Sequence, residues 1–219
     1  MSEYFCRQIE LWGDKTQESL KDKRVLIIGS GGLGSSLAFA LGASGIGYID
    51  VVDFDIVSVD NIHRQILFTL KDEGKFKADV FKSVVQSRYK GVKVTPYKMK
   101  FAEFIDQNST KFDLILDATD NFSTRVEIDE YAKSVKTPWI YASVQAFYSQ
   151  ICFFKEANFK PLVKDGVKIE GLVAPIVMFA ASFEANLAIR YLAGLPVKKD
   201  MLYYLDITSG ELKVSKFNL

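Results

Sequence analysis

Three glycines at the spacing G-x-G-x-x-G constrain this chain more than any other feature. The stretch IIGSGGLGSS, residues 27–36, contains Gly29, Gly31 and Gly34. The apolar run Val25–Ile28 before them predicts a strand buried on both faces, and the segment rich in Leu and Ala after them predicts a helix. In this context the first glycine permits a tight turn, the second lets the backbone approach a phosphate, and the third permits close helix–strand packing.

The order of the predicted elements indicates the fold class. Strands and helices alternate over the first two thirds of the chain, which predicts a Rossmann-like, mostly parallel, doubly wound α/β sheet. The last strands follow one another like a hairpin, which predicts antiparallel strands added at the C-terminal edge. We expect strands at 24–28, 48–52, 92–97, 112–116, 138–142, 150–154, 202–205 and 211–214, and helices at 32–44, 75–87, 126–135 and 175–193.

Composition restricts the class of protein. The chain has 219 residues, 48% of them hydrophobic, which suits one large domain over residues 1–219. Lys and Arg total 28 against 27 Asp and Glu, and this balance does not favour a partner bound by bulk positive charge, such as nucleic acid. The most apolar stretch, Pro175–Gly194, contains Glu184, Asn186 and Arg190, which predicts a buried helix rather than a membrane span. Because the N-terminus lacks the apolar core of a signal peptide, we expect a cytoplasmic location and no membrane partner.

An acid at the end of the second strand supports nucleotide binding. Asp53 follows Gly34 by 19 residues, the position from which an acid bonds ribose hydroxyls. The glycine turn and this acid predict an adenosine-like ligand, but they do not choose between NAD and ATP.

The loop after this strand favours ATP. Its sequence is DFDIVSVDNIHRQ, residues 53–65. The glycine turn neutralises a pyrophosphate, whereas a triphosphate carries more charge and requires cations further out. Asn61, Arg64 and Gln65 are placed to meet it, with Lys77 at the start of the next helix. Arg64 offers a bidentate fork, and Lys77 offers a point charge.

Two acids end the fourth predicted strand. Asp117 and Asp120 follow the apolar run Phe112–Leu116, at the strand end where α/β proteins bind ligands. A carboxylate beside phosphates is a natural Mg²⁺ ligand. An alternative role for Asp120 is to cap the helix that begins at Asn121–Phe122.

The sequence resembles a known family, the ThiF/MoeB/HesA adenylyltransferases, which are related to the adenylation domains of ubiquitin-activating enzymes. The resemblance runs from Arg7 to about Gly194 and is carried by RQIELWG, RVLIIGSGGLGSSLAFALGASGIGYIDVVDFDIVSVDNIHRQ and DLILDATDN. It implies ATP with Mg²⁺, and a small ubiquitin-like sulfur-carrier protein (ThiS- or MoaD-like) that ends in Gly-Gly. The carrier's C-terminal carboxylate would attack the α-phosphorus in thiamine or molybdopterin biosynthesis, giving an acyl-adenylate and pyrophosphate.

The resemblance also implies roles for individual residues. Arg64, Lys77 and Asp120 would be catalytic, with Asp120 holding Mg²⁺ and Asp53 holding the ribose. Arg7 would also be catalytic, by reaching into the site of a partner subunit, which implies a homodimer. The residues implied to bind the nucleotide are Gly29, Gly31, Gly32, Gly34, Asp53, Asp55, Asn61, Arg64, Gln65, Lys77, Asp120 and Asn121.

The chain departs from the family in its cysteines. Many members carry two C-x-x-C pairs for structural zinc, whereas this chain has only Cys6 and Cys152, so no zinc is expected. Many also carry a cysteine in the loop before the last long helix, where Val167 is the closest counterpart. Sulfur transfer would therefore belong to a separate sulfurtransferase.

The same family pattern divides the domain into three parts. Residues 1–20 would form a helical arm, 24–143 the nucleotide-binding half, and 144–219 the antiparallel half that binds the carrier. Phe147 and Tyr148 are candidate aromatic anchors for the carrier, and the alternative is ordinary packing under the loop that follows at 158–171.

The sequence is also compatible with two other functions. The chain could be a catalytically degenerate scaffold half of an activating complex, although an idle pocket has no physical need for so many charged residues. It could also be an NAD-dependent dehydrogenase, but the Arg64 and Lys77 cations would then be unexplained.

Overall fold

The strand order places the glycine turn near the centre of an eight-stranded sheet. The structure is a computed structural model that describes residues 3–163 and 171–219. The order across the sheet is β3-β2-β1-β4-β5-β6-β7-β8, parallel from β3 to β5 and antiparallel from β5 to β8. The strands are β1 Arg24–Ile28, β2 Tyr48–Val52, β3 Lys93–Tyr97, β4 Leu114–Asp117, β5 Trp139–Gln145, β6 Tyr148–Phe154, β7 Met201–Asp206 and β8 Lys213–Asn218.

Helices cover both faces of the parallel part of this sheet. They are α1 Cys6–Ser19, α2 Gly32–Leu41, α3 Lys77–Arg88, α4 Phe101–Gln107, α5 Phe122–Ser134 and α6 Ala174–Leu192. The apolar side chains of α2, α3 and α6 pack in one core, whereas those of α4 and α5 pack in a second core on the other face. The predicted fold class, a mostly parallel α/β sheet with antiparallel strands at the C-terminal edge, is confirmed.

Two helices differ from the prediction for local reasons. The short helix α4 was missed because its seven residues bury only Phe101 and Phe104, too few apolar positions to show a helical period. The helix α5 begins at Phe122, the start assumed for a cap at Asp120, and not at 126 as the apolar pattern indicates, because the Asn121 side chain accepts a hydrogen bond from the backbone N–H of Thr124 and so caps it.

The carboxyl ends of the parallel strands form the edge where a ligand is expected. The chain order reverses between the neighbours β1 and β4, and crevices at such a reversal are the usual ligand sites of α/β sheets. The helix α1 lies at the other ends of the strands, their amino ends. This placement is shown by Gln17 in α1, which donates to the carbonyl of Ser44, a few residues before β2 starts. No helix in the described part of the chain is long and apolar enough to span a membrane.

Candidate active site

The glycine turn between β1 and α2 is packed against the turn that follows β4. Gly29 has a φ of 94°, and a Cβ on it would lie 2.5 Å from the carbonyl oxygen of Ala118. A Cβ on Gly34 would lie 2.2 Å from the carbonyl oxygen of Gly29. Both positions therefore require glycine. Gly31 precedes the first turn of α2, whose backbone N–H groups suit an anion.

Asp53 fixes the glycine turn to the end of β2. Its Oδ2 accepts hydrogen bonds from the backbone N–H and hydroxyl of Ser30, at 2.6 and 2.8 Å, and its Oδ1 accepts one from the backbone N–H of Asp55 at 2.8 Å. The residue is only 8% exposed. Sequence reasoning assigned Asp53 to a ribose and missed Ser30, although a serine inside a glycine turn is a visible signal for such a bond.

Lys77, at the first position of α3, carries the most buried positive charge of the loop region. Its side chain is 6% exposed, and its Nζ lies 3.0 Å from Oδ2 of Asp55, whose side chain is 51% exposed. The pair lies just beyond Asp53, so the ammonium group is held beside the end of β2. This placement suits a group that neutralises phosphate charge once a nucleotide is bound.

Residues 61–65 lie against the glycine turn. Nε2 of Gln65 donates to Oδ1 of Asn61 at 2.7 Å and would lie 3.5 Å from a Cβ on Gly31. Oε1 of Gln65 is buried and has no hydrogen-bond partner among the described residues. An orphaned acceptor at this place fits a ligand that brings its own donor. Nη1 of Arg64 lies 2.8 Å from Nε2 of His63, in the exposed part of the loop.

Asp120 follows β4 and is exposed to solvent. Its Oδ1 accepts a hydrogen bond of 3.4 Å from Nδ2 of the neighbouring Asn121. Because Asn121, and not Asp120, caps α5, the alternative capping role considered for Asp120 is wrong. Its carboxylate is thus available to a cation or ligand, whereas the side chain of Asn121 is already used by the helix.

Asp117 does not share the environment of Asp120. It is completely buried, and its Oδ2 accepts a hydrogen bond of 2.9 Å from Nε of Arg125. Burial raises the pKa of the Asp117 carboxyl, and the Arg125 charge opposes that rise. Burial also disfavours the guanidinium charge, but Asp117, Tyr141 and Asp120 together outweigh this effect and raise the pKa of Arg125. The 2.9 Å contact between Nε of Arg125 and Oδ2 of Asp117 has the geometry of a buried ion pair.

Arg125 is a residue that sequence reasoning missed. It stands in the first turns of α5, where a positive charge is unfavourable because the helix dipole is positive at that end. An arginine so placed, eight residues after a buried acid, is a signal for a specific ion pair.

Arg7 is not brought to the site of its own chain. Its side chain is 87% exposed on α1, and its Nη1 pairs with Oε2 of Glu10 at 2.9 Å. Since α1 lies at the amino ends of the strands and the glycine turn lies at their carboxyl ends, Arg7 and the glycine turn are on opposite ends of the sheet's strands.

Glu184 is a second residue whose environment the sequence did not reveal. It was expected in a buried helix, and in α6 it is completely buried. Neither carboxyl oxygen has a hydrogen-bond partner within residues 3–163 and 171–219. Burial raises the pKa of this carboxyl well above its usual value, the charge of Asp117 adds to the rise, and Arg125 opposes it. Glu184 is thus a carboxyl group packed in the core beside the site, and it stays neutral to a higher pH than an exposed glutamate does.

The comparison with known families decides the classification. The sequence profile described as the ThiF family matches residues 5–219. The chain belongs to the ThiF family. The family predicted from RQIELWG, the glycine turn and DLILDATDN is therefore confirmed.

Several relatives of this ThiF-family chain have names that describe adenylyltransferases. The chain is 31% identical over 206 residues to the sulfur carrier protein ThiS adenylyltransferase of Escherichia coli K12, covering 89% of this chain and 82% of that protein. It is 29% identical over 193 residues to the molybdopterin-synthase adenylyltransferase of the same organism, covering 81% and 76%. It is 36% identical over 141 residues to the probable adenylyltransferase/sulfurtransferase MoeZ of Mycobacterium tuberculosis, covering 64% of this chain but only 36% of that longer protein.

Solved structures show the same fold at low sequence identity. E. coli MccB crystallised with ATP superposes with a TM-score of 0.84 at 22% identity, over 98% of this chain and 71% of that one. PaaA gives a TM-score of 0.84 at 22% identity, over 99% and 73%. This likeness places the eight-stranded sheet of the ThiF-family chain in a known architecture.

Proposed function

We propose that the protein is an ATP-dependent adenylyltransferase that activates the C-terminal carboxylate of a small ubiquitin-like sulfur-carrier protein. The carrier is ThiS-like or MoaD-like, ends in Gly-Gly, and serves thiamine or molybdopterin biosynthesis. The names of the ThiS and molybdopterin-synthase relatives support this activity.

One observation carries the proposal. The glycine turn, Asp53, the buried Lys77 and the exposed Asp120 all lie at the carboxyl edge of the sheet, around the reversal between β1 and β4. This edge thus combines backbone donors for phosphate with a cation and a carboxylate. A site with these groups suits a triphosphate and the charge that develops on its leaving group.

The proposed reaction needs no general base. One oxygen of the carrier's terminal carboxylate bonds to the α-phosphorus of ATP, and the bond from that phosphorus to the oxygen bridging to the β-phosphorus breaks. The electron pair of that bond leaves with pyrophosphate, where Arg64 and Lys77 stabilise it. The attacking carboxylate is already ionised at neutral pH, so His63 is not required as a base.

The chemistry of Asp120 fits a magnesium ion. It is a solvent-exposed carboxylate beside the glycine turn, free of the helix cap, and hard oxygen ligands are those that Mg²⁺ prefers. Bound there, Mg²⁺ would supply positive charge to the triphosphate oxygens. Asp120 would hold the ion, and Lys77 would hold the phosphates.

The antiparallel half is the proposed binding surface for the carrier, within one adenylation domain that spans the chain. The hairpin between β5 and β6 projects from the carboxyl end of β5, the same edge as the site, and Phe147 at its tip is 51% exposed. Tyr148 stacks on Tyr204 of β7, with ring centroids 5.5 Å apart. Aromatic side chains beside a reactive site suit a partner whose tail must reach that site.

The described cysteines do not suit covalent sulfur transfer. Cys152 is buried in β6, and burial raises the pKa of its thiol far above its usual value. Cys6 lies on α1, at the opposite edge from the site. Val167, the predicted counterpart of the family cysteine, lies outside the described residues. We therefore propose that a separate sulfurtransferase takes the adenylate onward.

Pyrophosphate exchange tests the proposed function. Purified protein, ATP, Mg²⁺ and labelled pyrophosphate are incubated with ThiS-like and MoaD-like carriers, each with and without its last two glycines. Exchange is expected only with an intact carrier, because the reversible step needs the terminal carboxylate. No exchange with any carrier, together with tight binding of NADH, would favour a dehydrogenase, and no exchange without NADH binding would favour a scaffold.

Arg7→Ala tests the proposed homodimer. Because Arg7 is exposed and at the far edge of its own sheet, this change should leave folding intact. Loss of a charged hydrogen bond across the interface should slow adenylation about 10–100-fold. Lys15→Ala, an exposed change on the same helix, is the control and should have little effect.

A mixing experiment separates action across subunits from action within one. Subunits carrying Arg7→Ala are mixed with subunits carrying Lys77→Met, each nearly inactive alone. Random pairing should restore about a quarter of wild-type activity, since each mixed dimer has one intact site. If the mixture stays as inactive as its components, Arg7 does not act across subunits.

A further inference from the structure

We propose that Arg125 is a positioning residue which, through its buried ion pair with Asp117, holds the carboxylate of Asp120 at the nucleotide site. The inference rests on the proposed function only for the identity of the ligand, Mg²⁺ with ATP. The arrangement that carries it joins Asp117, the last residue of β4, to Arg125 in α5 across the turn between them, with a further hydrogen bond to β5.

Thr119, the residue before Asp120 in this turn, forms hydrogen bonds with both Asp117 and Arg125. Its backbone N–H and its hydroxyl donate to Oδ1 of Asp117, at 2.9 and 2.6 Å. Its carbonyl accepts a hydrogen bond of 2.6 Å from Nη2 of Arg125, which also donates to the carbonyl of Ala142 in β5 at 3.2 Å. The peptide that leads into Asp120 thus has a fixed orientation relative to both strands.

The same turn is packed against the glycine turn. The backbone N–H of Ala118 donates to the carbonyl of Ile28 at 2.8 Å, and Gly29 has no room for a side chain beside Ala118. A shift of the turn would therefore change the distance between the Asp120 carboxylate and the phosphate site. Positions of groups that bind a metal and phosphates must hold within a fraction of an ångström for full activity.

Stability alone is a weak reason for this pair. Moving two charges into a protein interior costs about as much as their attraction returns, and apolar side chains of similar volume often stabilise more. Arg125 is 4% exposed and Asp117 is fully buried, so both have lost their hydration. Asp117 and Arg125 take part in five hydrogen bonds: one with each other, three with Thr119 and one with Ala142. Orientation of Thr119, and with it of Asp120, is therefore a better reason for the pair than stability.

Four variants test the inference: Arg125→Lys, Arg125→Met, Asp117→Asn, and the double variant Asp117→Asn with Arg125→Met. Lysine keeps the charge but cannot bridge Asp117, Thr119 and Ala142 at once. The double variant removes both buried charges, so it should regain stability relative to Arg125→Met alone. Arg190→Met is the matched control, because Arg190 also donates to a backbone carbonyl, that of Pro196 at 3.1 Å, away from this turn.

Two measurements are compared with the thermal stability of each variant. Calorimetric titration with ATP, with and without Mg²⁺, gives the gain in affinity due to the metal. Pyrophosphate exchange at varied Mg²⁺ gives the concentration for half-maximal rate. In all four variants we expect the metal-dependent gain to be lost and the Mg²⁺ requirement to rise about 10–100-fold, with ATP affinity in the absence of Mg²⁺ nearly unchanged.

The double variant decides between positioning and simple stability. A double variant that is stable but still requires more Mg²⁺ supports positioning, because the Thr119 carbonyl still lacks its donor. If it regains both stability and the wild-type Mg²⁺ requirement, or if wild-type protein shows no metal-dependent gain in ATP affinity, the inference is overturned. If wild-type protein binds ATP with Mg²⁺ but exchanges no pyrophosphate, the proposed function is wrong. The calorimetric titrations with ATP then still test the positioning role of Arg125.

Discussion

Lys77→Met is expected to reduce kcat/KM for carrier adenylation by about 10²–10³-fold, the usual effect of removing one preorganised charge from a developing anion. The ammonium of Lys77 is almost completely buried beside Asp55, so water does not weaken its interaction with phosphates as it would at the surface. Methionine has a similar length and keeps the apolar part of the packing. Steady-state kinetics with varied ATP and carrier measure the loss.

Lys75→Met is the matched control for this change. Lys75 lies two residues earlier in the chain, pairs with Asp72 at 2.9 Å and is 57% exposed, so its removal should change kcat/KM by no more than about twofold. Thermal unfolding of Lys77→Met should stay close to that of the wild type, because Asp55 remains half exposed and hydrated. If the two lysine variants were equally active, Lys77 would have no part in binding phosphates.

The central part of the fold could be predicted because its signals are local. The strands β1 and β2 have the bounds expected from their apolar runs, since each run is closed by charged residues or glycine. The glycine turn could be predicted for the same reason, because its spacing and the flanking strand and helix lie within a dozen residues. These patterns also led to the correct family.

The pairing of charged side chains could not be predicted in the same way. Asp117 and Asp120 look alike in the sequence, yet Asp117 is buried against Arg125 and Asp120 is exposed. Asp117 is the last residue of β4 and is covered by Arg125 of α5, whereas Asp120 lies in the turn beyond the strand, and where β4 ends and how α5 packs are properties of the tertiary structure. Likewise, the apolar stretch Pro175–Gly194 predicts a buried helix, but it does not reveal that the Glu184 carboxyl has no hydrogen-bond partner within the part of the chain that the structure describes.

Glu184→Gln is expected to raise the free energy of unfolding by an amount that grows with pH. The folded protein keeps this carboxyl protonated to a higher pH than the unfolded chain does, because burial raises its pKa well above the usual 4.5 and the Asp117 charge adds to the effect. The unfolded chain, in contrast, releases the proton near the usual value. Above that pH the wild-type protein therefore loses stability relative to a variant that has no proton to release.

The sign and slope follow from the protons bound in each state. Below about pH 4.5 both states are protonated, and the two proteins should differ little. At higher pH the folded state holds one more proton than the unfolded state, so wild-type stability falls by about 1.4 kcal/mol per pH unit until the folded pKa is reached. Glutamine has a similar volume and stays neutral, and the difference between the two proteins should widen at that slope.

Urea unfolding at a series of pH values measures this difference, and Glu130→Gln is the control. Glu130 is exposed on α5, so its replacement should change the free energy of unfolding only slightly. A flat difference for Glu184→Gln from about pH 5 to pH 8 would mean that the Glu184 carboxyl ionises in the folded protein as easily as in the unfolded chain. Such a result would contradict the burial of Glu184 in the core and would indicate that α6 opens to water beside the glycine turn.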